Sequence, residues 1–142
     1  NYLIETSIGS TTWVDVCPSN GSLLAAAGYD TNLSIFDRRE SKFVQTFRNV
    51  HICSFFIRSS SVTNISISIT LDQINCVRWN QTGDMLASAS QDNTAKLTDF
   101  RTGRCLYFGS TPNLGTNIHG VNEAHFTLSG RAVCMLRLIE DI

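Results

Sequence analysis

The sequence predicts an all-β protein assembled from repeated, short, antiparallel strands, and three observations carry that prediction. Residues 21–39 lie on residues 83–101 at a single ungapped offset of 62, with seven identities. The identical pairs are Gly21 with Gly83, Leu24 with Leu86, Ala25 with Ala87, Ala27 with Ala89, Asp30 with Asp92, Asp37 with Asp99 and Arg39 with Arg101. A repeat at fixed spacing marks a supersecondary unit used more than once. Each copy also reads as glycine turn, small apolar strand, acidic turn and a further strand closing on Asp. Finally, Pro18-Ser19-Asn20-Gly21 and Asn80-Gln81-Thr82-Gly83 have tight-turn chemistry, with each glycine free to take a positive φ.

Taken in order, the first copy places strands near Trp13–Cys17, Leu23–Ala27, Leu33–Phe36 and Phe43–Phe47. The second places them at Ile74–Trp79, Met85–Ser90, Ala95–Thr98 and Cys105–Phe108. Asp30 and Asp92 fall between the second and third strands, where a carboxylate accepts backbone N–H bonds and closes the turn. A weaker third copy begins at Val121. At an offset of 47 it brings Gly130 onto Gly83, Phe126 onto Trp79, Val121 onto Ile74 and Asn122 onto Asn75. Its second strand is expected at Ala132–Leu136, after which neither a second acidic turn nor a closing Asp follows.

This pattern resembles the WD-repeat family of β-propellers, whose units contribute four antiparallel strands, a to d, to blades around an axis. The resemblance runs from about Trp13 to Leu136 and implies a partial propeller of about two and a half four-stranded blades. Its parts are a repeat at 13–51, an insertion at 52–71, a repeat at 72–109 and a degenerate repeat at 117–142. Two and a half blades do not close a ring, so the chain is expected to be part of a longer propeller. Phe36-Asp37 and Thr98-Asp99 stand where the family has its Trp-Asp pair. The family's buried network joins a strand-c Trp, the b–c turn Asp, a strand-b hydroxyl and a His ahead of strand a. The second copy retains Asp92, Ser88 or Ser90, and His51, while the first retains only Asp30. With the indole missing, apolar packing is expected to replace the network.

The 62-residue spacing exceeds the ~40–45 residues of this family's repeats, and removing Ile52–Leu71 restores a normal length. That segment has one charge, Arg58, six serines and five isoleucines. Three readings stand: an extra strand on an exposed edge, a partner-binding loop anchored by Phe55 and Phe56, or non-native sequence such as translated intron. An apolar window with so little charge is an aggregation liability, which favours the last. The segment is then expected to be disordered or loosely attached, and its removal to let His51 approach the Asp92 turn.

Composition bounds function. The 142 residues carry a net charge of −1, which argues against a general nucleic-acid binder. The segment 52–71 is too serine-rich, and carries too much charge, for a membrane span. Cys17, Cys53, Cys76, Cys105 and Cys134 are odd in number, and four fall in expected strands as small buried hydrophobes. They imply a reducing compartment, cytosol or nucleus. His119 and His125 lack a zinc site's spacing, and no phosphate loop or nucleophile–base motif occurs. No catalytic, cofactor or metal residue is therefore assigned. One charge pattern is notable: Arg38, Arg39 and Lys42 in one c–d turn, Arg101 and Arg104 in the other, expected side by side on one face. They are solubilising residues or a ridge for an acidic partner. The resemblance implies a non-catalytic scaffold for protein–protein interaction, completed by missing blades or by self-association. The alternatives are a subunit of an RNA-processing or chromatin assembly touching nucleic acid through these turns, and a propeller enzyme.

Overall fold

A computed structural model describes residues 10–58, 65–110, 120–130 and 133–136. All regular structure among the described residues is strand, and no helix there is long and apolar enough to cross a membrane. The first four-stranded antiparallel sheet runs in chain order: β1 (Thr11–Val16), β2 (Leu23–Gly28), β3 (Leu33–Asp37) and β4 (Lys42–Phe47). A two-stranded hairpin follows, β5 (Ile52–Arg58) with β6 (Ile65–Leu71). The second four-stranded sheet is β7 (Ile74–Trp79), β8 (Met85–Ser90), β9 (Thr94–Asp99) and β10 (Cys105–Ser110). A last pair, β11 (Glu123–Phe126) with β12 (Val133–Leu136), ends the described chain. Ala132, expected to open the final strand, lies outside the described residues.

Small residues make this stacking feasible. Successive side chains of a strand point to opposite faces, and β8 sorts its residues accordingly. Leu86 joins an apolar cluster with Ala25, Ala27, Leu33, Ile35 and Phe47 of the first sheet. Ala87 and Ala89, on the other face, join Val121 and Ala124 of the third unit. Alanine at these positions lets neighbouring sheets approach closely. The remaining volume is filled by Phe47, Trp79 and Phe100, whose rings meet edge to face at 6.4 and 5.0 Å. Strand β7 packs against β1 and β2 on one side and β11 on the other, so the innermost strands of three units adjoin.

Ahead of the aligned stretch the pairing register departs from the offset of 62. Asp15 pairs with Ala25, and Arg78 pairs with Ala87. Since Ala25 and Ala87 are the equivalent pair, Asp15 corresponds to Arg78, one residue away from the 62 offset. The connection from β1 to β2 is one residue longer than that from β7 to β8, which absorbs the difference. In the third unit His125 pairs with Cys134, the position that follows Val133 as Ala87 follows Leu86.

Segment 52–71 also departs from expectation. It contains a regular hairpin, Ile52 opposite Leu71 through Arg58 opposite Ile65, in place of a disordered loop. Its strands are paired with each other and belong to neither four-stranded sheet, so the reading of an extra strand on an exposed edge is corrected.

Candidate functional site

The most enclosed polar constellation lies where the end of the first repeat meets the second sheet. His51 is fully buried, and its Nδ1 lies 2.9 Å from Asp92 Oδ2 while Nε2 lies 2.8 Å from Ser88 Oγ. Alternation along β8 puts Ser88 on the face turned to the first sheet, where the chain ending at His51 arrives. Thr94 completes the group: its hydroxyl bonds Asp92 Oδ1 at 2.6 Å and sits 3.2 Å from His51 Nδ1. Its backbone N–H also donates to Asp92 Oδ1. Burial pushes the Asp92 carboxyl up, but the bonds from His51 and Thr94 outweigh it and hold the pKa below the ordinary aspartate value. Such a network acts as a rigid clamp because each buried polar group has a partner. Thr98, buried at the place of the family's indole, does not prevent closure. The expectation that apolar packing substitutes for the network is thus corrected, as is the idea that 52–71 keeps His51 away from Asp92.

Ser90, the other hydroxyl considered, donates instead to the Gln73 carbonyl at 2.9 Å. In the first sheet the position of Ser88 is Ala26, and Asp30 accepts a bond from the Asn32 side-chain amide rather than from a backbone N–H. Asp37 accepts the Arg39 N–H at 2.8 Å, and Asp99 accepts the Thr102 N–H at 2.7 Å. The Arg39 N–H for Asp37, and for Asp99 the Thr102 hydroxyl followed by its N–H, hold both carboxyls below the ordinary aspartate range. Gly83 takes φ +76°, but Gly21 takes no positive φ and its turn closes by a Leu23 N–H bond to the Asn20 carbonyl. The longer first turn removes the need for a left-handed residue, which corrects the expectation for Gly21.

The five basic turn residues are exposed. Arg39 pairs with Asp37 at 3.5 Å and Lys42 with Glu40 at 2.6 Å, so part of that charge is neutralised locally. The 99–104 turn meets the first sheet at β4, where Gln45 Nε2 donates to the Phe100 carbonyl. The outermost strand β10 exposes Leu106, Tyr107 and Phe108. Of the cysteines, Cys17 and Cys76 are buried, but Cys105 and Cys134 are exposed, contrary to expectation; all four are free. Desolvation pushes the Cys76 thiol pKa up. His119 lies outside the described residues, and no group of three or more His, Cys, Asp or Glu among the described residues is placed to hold a metal.

Sequence reading missed Thr94 and Asn80. Asn80 Oδ1 accepts from the N–H groups of Gly83, Asp84 and Met85, so the turn is organised by that side chain. Its signal was the Asn at the head of a tight turn.

With this geometry in hand, the family model described as "WD domain, G-beta repeat" matches residues 66–99. The match starts within β6 and ends at Asp99, so it includes Ser88 and Asp92 but not His51. No curated protein matches the chain.

Proposed function

We propose that the chain serves as a rigid, non-catalytic platform that holds other proteins within a multiprotein complex, a reading supported by the WD-repeat match over residues 66–99. WD repeats as a class are protein-interaction scaffolds, and the matched repeat brings that general role with it. The observation that carries the particular reading is the contrast between a locked interior and an adhesive rim. The His51–Asp92–Ser88 clamp fixes the second blade, while β10 leaves Leu106, Tyr107 and Phe108 more than half exposed on its outer edge. Aromatic side chains exposed on a stiff edge are what protein interfaces recruit. The free buried thiols of Cys17 and Cys76 suit a reducing compartment, cytosol or nucleus.

Affinity purification of the tagged chain with chemical cross-linking tests this. The expected result is a stoichiometric protein partner that is retained after nuclease treatment and lost from a Tyr107→Asp, Phe108→Asp variant. Recovery that depends on intact nucleic acid would favour the second reading, in which the exposed Arg38, Arg101 and Arg104 contact phosphates. No stoichiometric partner under either condition would remove the scaffold reading.

A further inference from the structure

The register places Asp15, Arg78 and His125 at the same position of the innermost strands of three successive blades. All three line one recess of about 280 Å³, which Gln81 of the a–b turn also borders. Three equivalent positions of the innermost strands thus carry the polar side chains Asp, Arg and His.

The side chains are arranged around Arg78. Its guanidinium stands over the Trp13 ring, 4.7 Å from the centroid, and Nη1 reaches Asp15 Oδ1 at 3.4 Å. Asp15 is itself fixed, since Oδ2 accepts the Trp79 N–H at 2.8 Å. Arg78 is therefore held on two sides, yet its Nε is buried with no hydrogen-bond partner among the described residues. A guanidinium has five donors in a planar fork that matches a carboxylate. Across the recess, His125 has Nε2 on Glu123 Oε2 at 2.6 Å, which leaves Nδ1 on its other side. Both oxygens of Asp15 already accept bonds, from Arg78 Nη1 and the Trp79 N–H, and Arg78 is the one Arg or Lys on the lining of the recess. The a–b turns share their end of the blades with the c–d turns, as the bonds from Arg38 N–H to Ser22 O and from Phe100 N–H to Asp84 O show. Exposed Arg38, Arg101 and Arg104 thus surround the same end.

We propose that this recess is a carboxylate-binding site that anchors an acidic side chain of a peptide segment from a protein partner, with Arg78 as the binding fork. Asp15 and Trp13 act as positioning residues, and the basic c–d turns attract the flanking acidic chain. The proposal rests on the scaffold reading and gives it a partner chemistry.

The experiment titrates the full 142-residue chain with a labelled Glu-rich peptide, its Gln counterpart and a single-stranded oligonucleotide. Tight binding of the Glu peptide is expected, with the Gln peptide weaker by roughly tenfold or more, the scale of a charge-assisted fork. Arg78→Gln, made alone and together with Asp15→Asn to preserve charge balance, should weaken the Glu peptide by a similar factor. Arg101→Gln with Arg104→Gln should mainly reduce the salt dependence. In the unmodified protein, the Glu peptide should shift the NMR resonances of the Trp79 amide and the His125 ring, a readout that needs no variant to fold. Unchanged affinity in folded Arg78 variants, no preference over the Gln peptide, no shift at Trp79 and His125, or preference for the oligonucleotide would each overturn the site. If partner capture persists while these peptide results fail, the site falls and the scaffold stands; loss of capture removes the scaffold itself.

Discussion

Replacing His51 by Ala opens a cavity beside Ser88 and Asp92, with Thr94 still bonded to Asp92 Oδ1. Ser88 and Asp92 each lose a short bond, and an unsatisfied buried polar group costs ~1–3 kcal/mol. The His51→Ala protein should therefore lose about 2–4 kcal/mol, read as a lower urea midpoint at unchanged slope. A loss below about half a kcal/mol would mean the network is incidental. The same residues give a pH signature. Asp92 has a folded pKa below the ordinary aspartate value, so between the folded and unfolded pKa values the unfolded chain binds more protons. Its stabilising contribution is present above about pH 4, the unfolded pKa, and is lost as pH falls through the lower folded value. Asp37, Asp84 and Asp99 share this direction, so acid destabilises the whole chain. Asp92→Asn should flatten, though not abolish, the fall in urea midpoint below about pH 4. Identical acid limbs in the two proteins would show that Asp92 is not linked to folding.

Turns and strands show how far sequence reaches and where it stops. Gly21 and Gly83 are identical in the repeat, yet only Gly83 is left-handed, and a Cβ there would meet Ser19 Oγ at 2.1 Å and Cys17 Sγ at 2.7 Å. At Gly21 nothing lies within 4 Å. Gly83→Ala should cost about 1–3 kcal/mol, and Gly21→Ala should stay within about half a kcal/mol; equal losses in thermal unfolding would refute the distinction. The four strands of each complete blade were legible because alternating small apolar residues between Gly and Asp turns leave few other options. The partners of His51 were legible only through the family pattern, since the contact spans the hairpin. The hairpin was misread because composition speaks to solubility, whereas pairing between β5 and β6 needs only register. In that register Ile52 faces Leu71, and antiparallel partners lie ~4.5–5.5 Å apart. The ends of the excised segment are thus already close. Replacing 52–71 by two glycines should leave the unfolding free energy from urea titration within about 1 kcal/mol of the parent and retain the buried His51 resonance by NMR. Unfolding of both sheets, or loss of that resonance, would make the hairpin integral to the blades.

At the scale of the whole molecule, the repeats expose a mismatch between equivalent surfaces. The register that relates Asp15 to Arg78 also relates Val14 to Val77 and Val16 to Trp79. In the second blade those residues are buried against the first, Val77 at 0% and Trp79 at 5% exposure. In the first blade Val14 is 50% and Val16 48% exposed, because no described sheet covers that face. The sequence could not display this, since the same strand pattern serves a covered and an uncovered blade alike. Each half-exposed valine forgoes about half of the ~1.5–3 kcal/mol that full burial supplies, and β10 adds an outer edge whose Leu106, Tyr107 and Phe108 are more than half exposed. Apolar faces and edges of this kind promote pairing with further copies. The isolated 142-residue chain should therefore self-associate with a concentration dependence measurable by sedimentation velocity. Val14→Lys with Val16→Lys should shift it toward monomer without lowering the His51-dependent stability, because these side chains lie away from the seam between the two blades. A chain that sediments as monomer at every concentration, or a valine variant that associates as strongly as the parent, would place the self-association surface elsewhere or remove it.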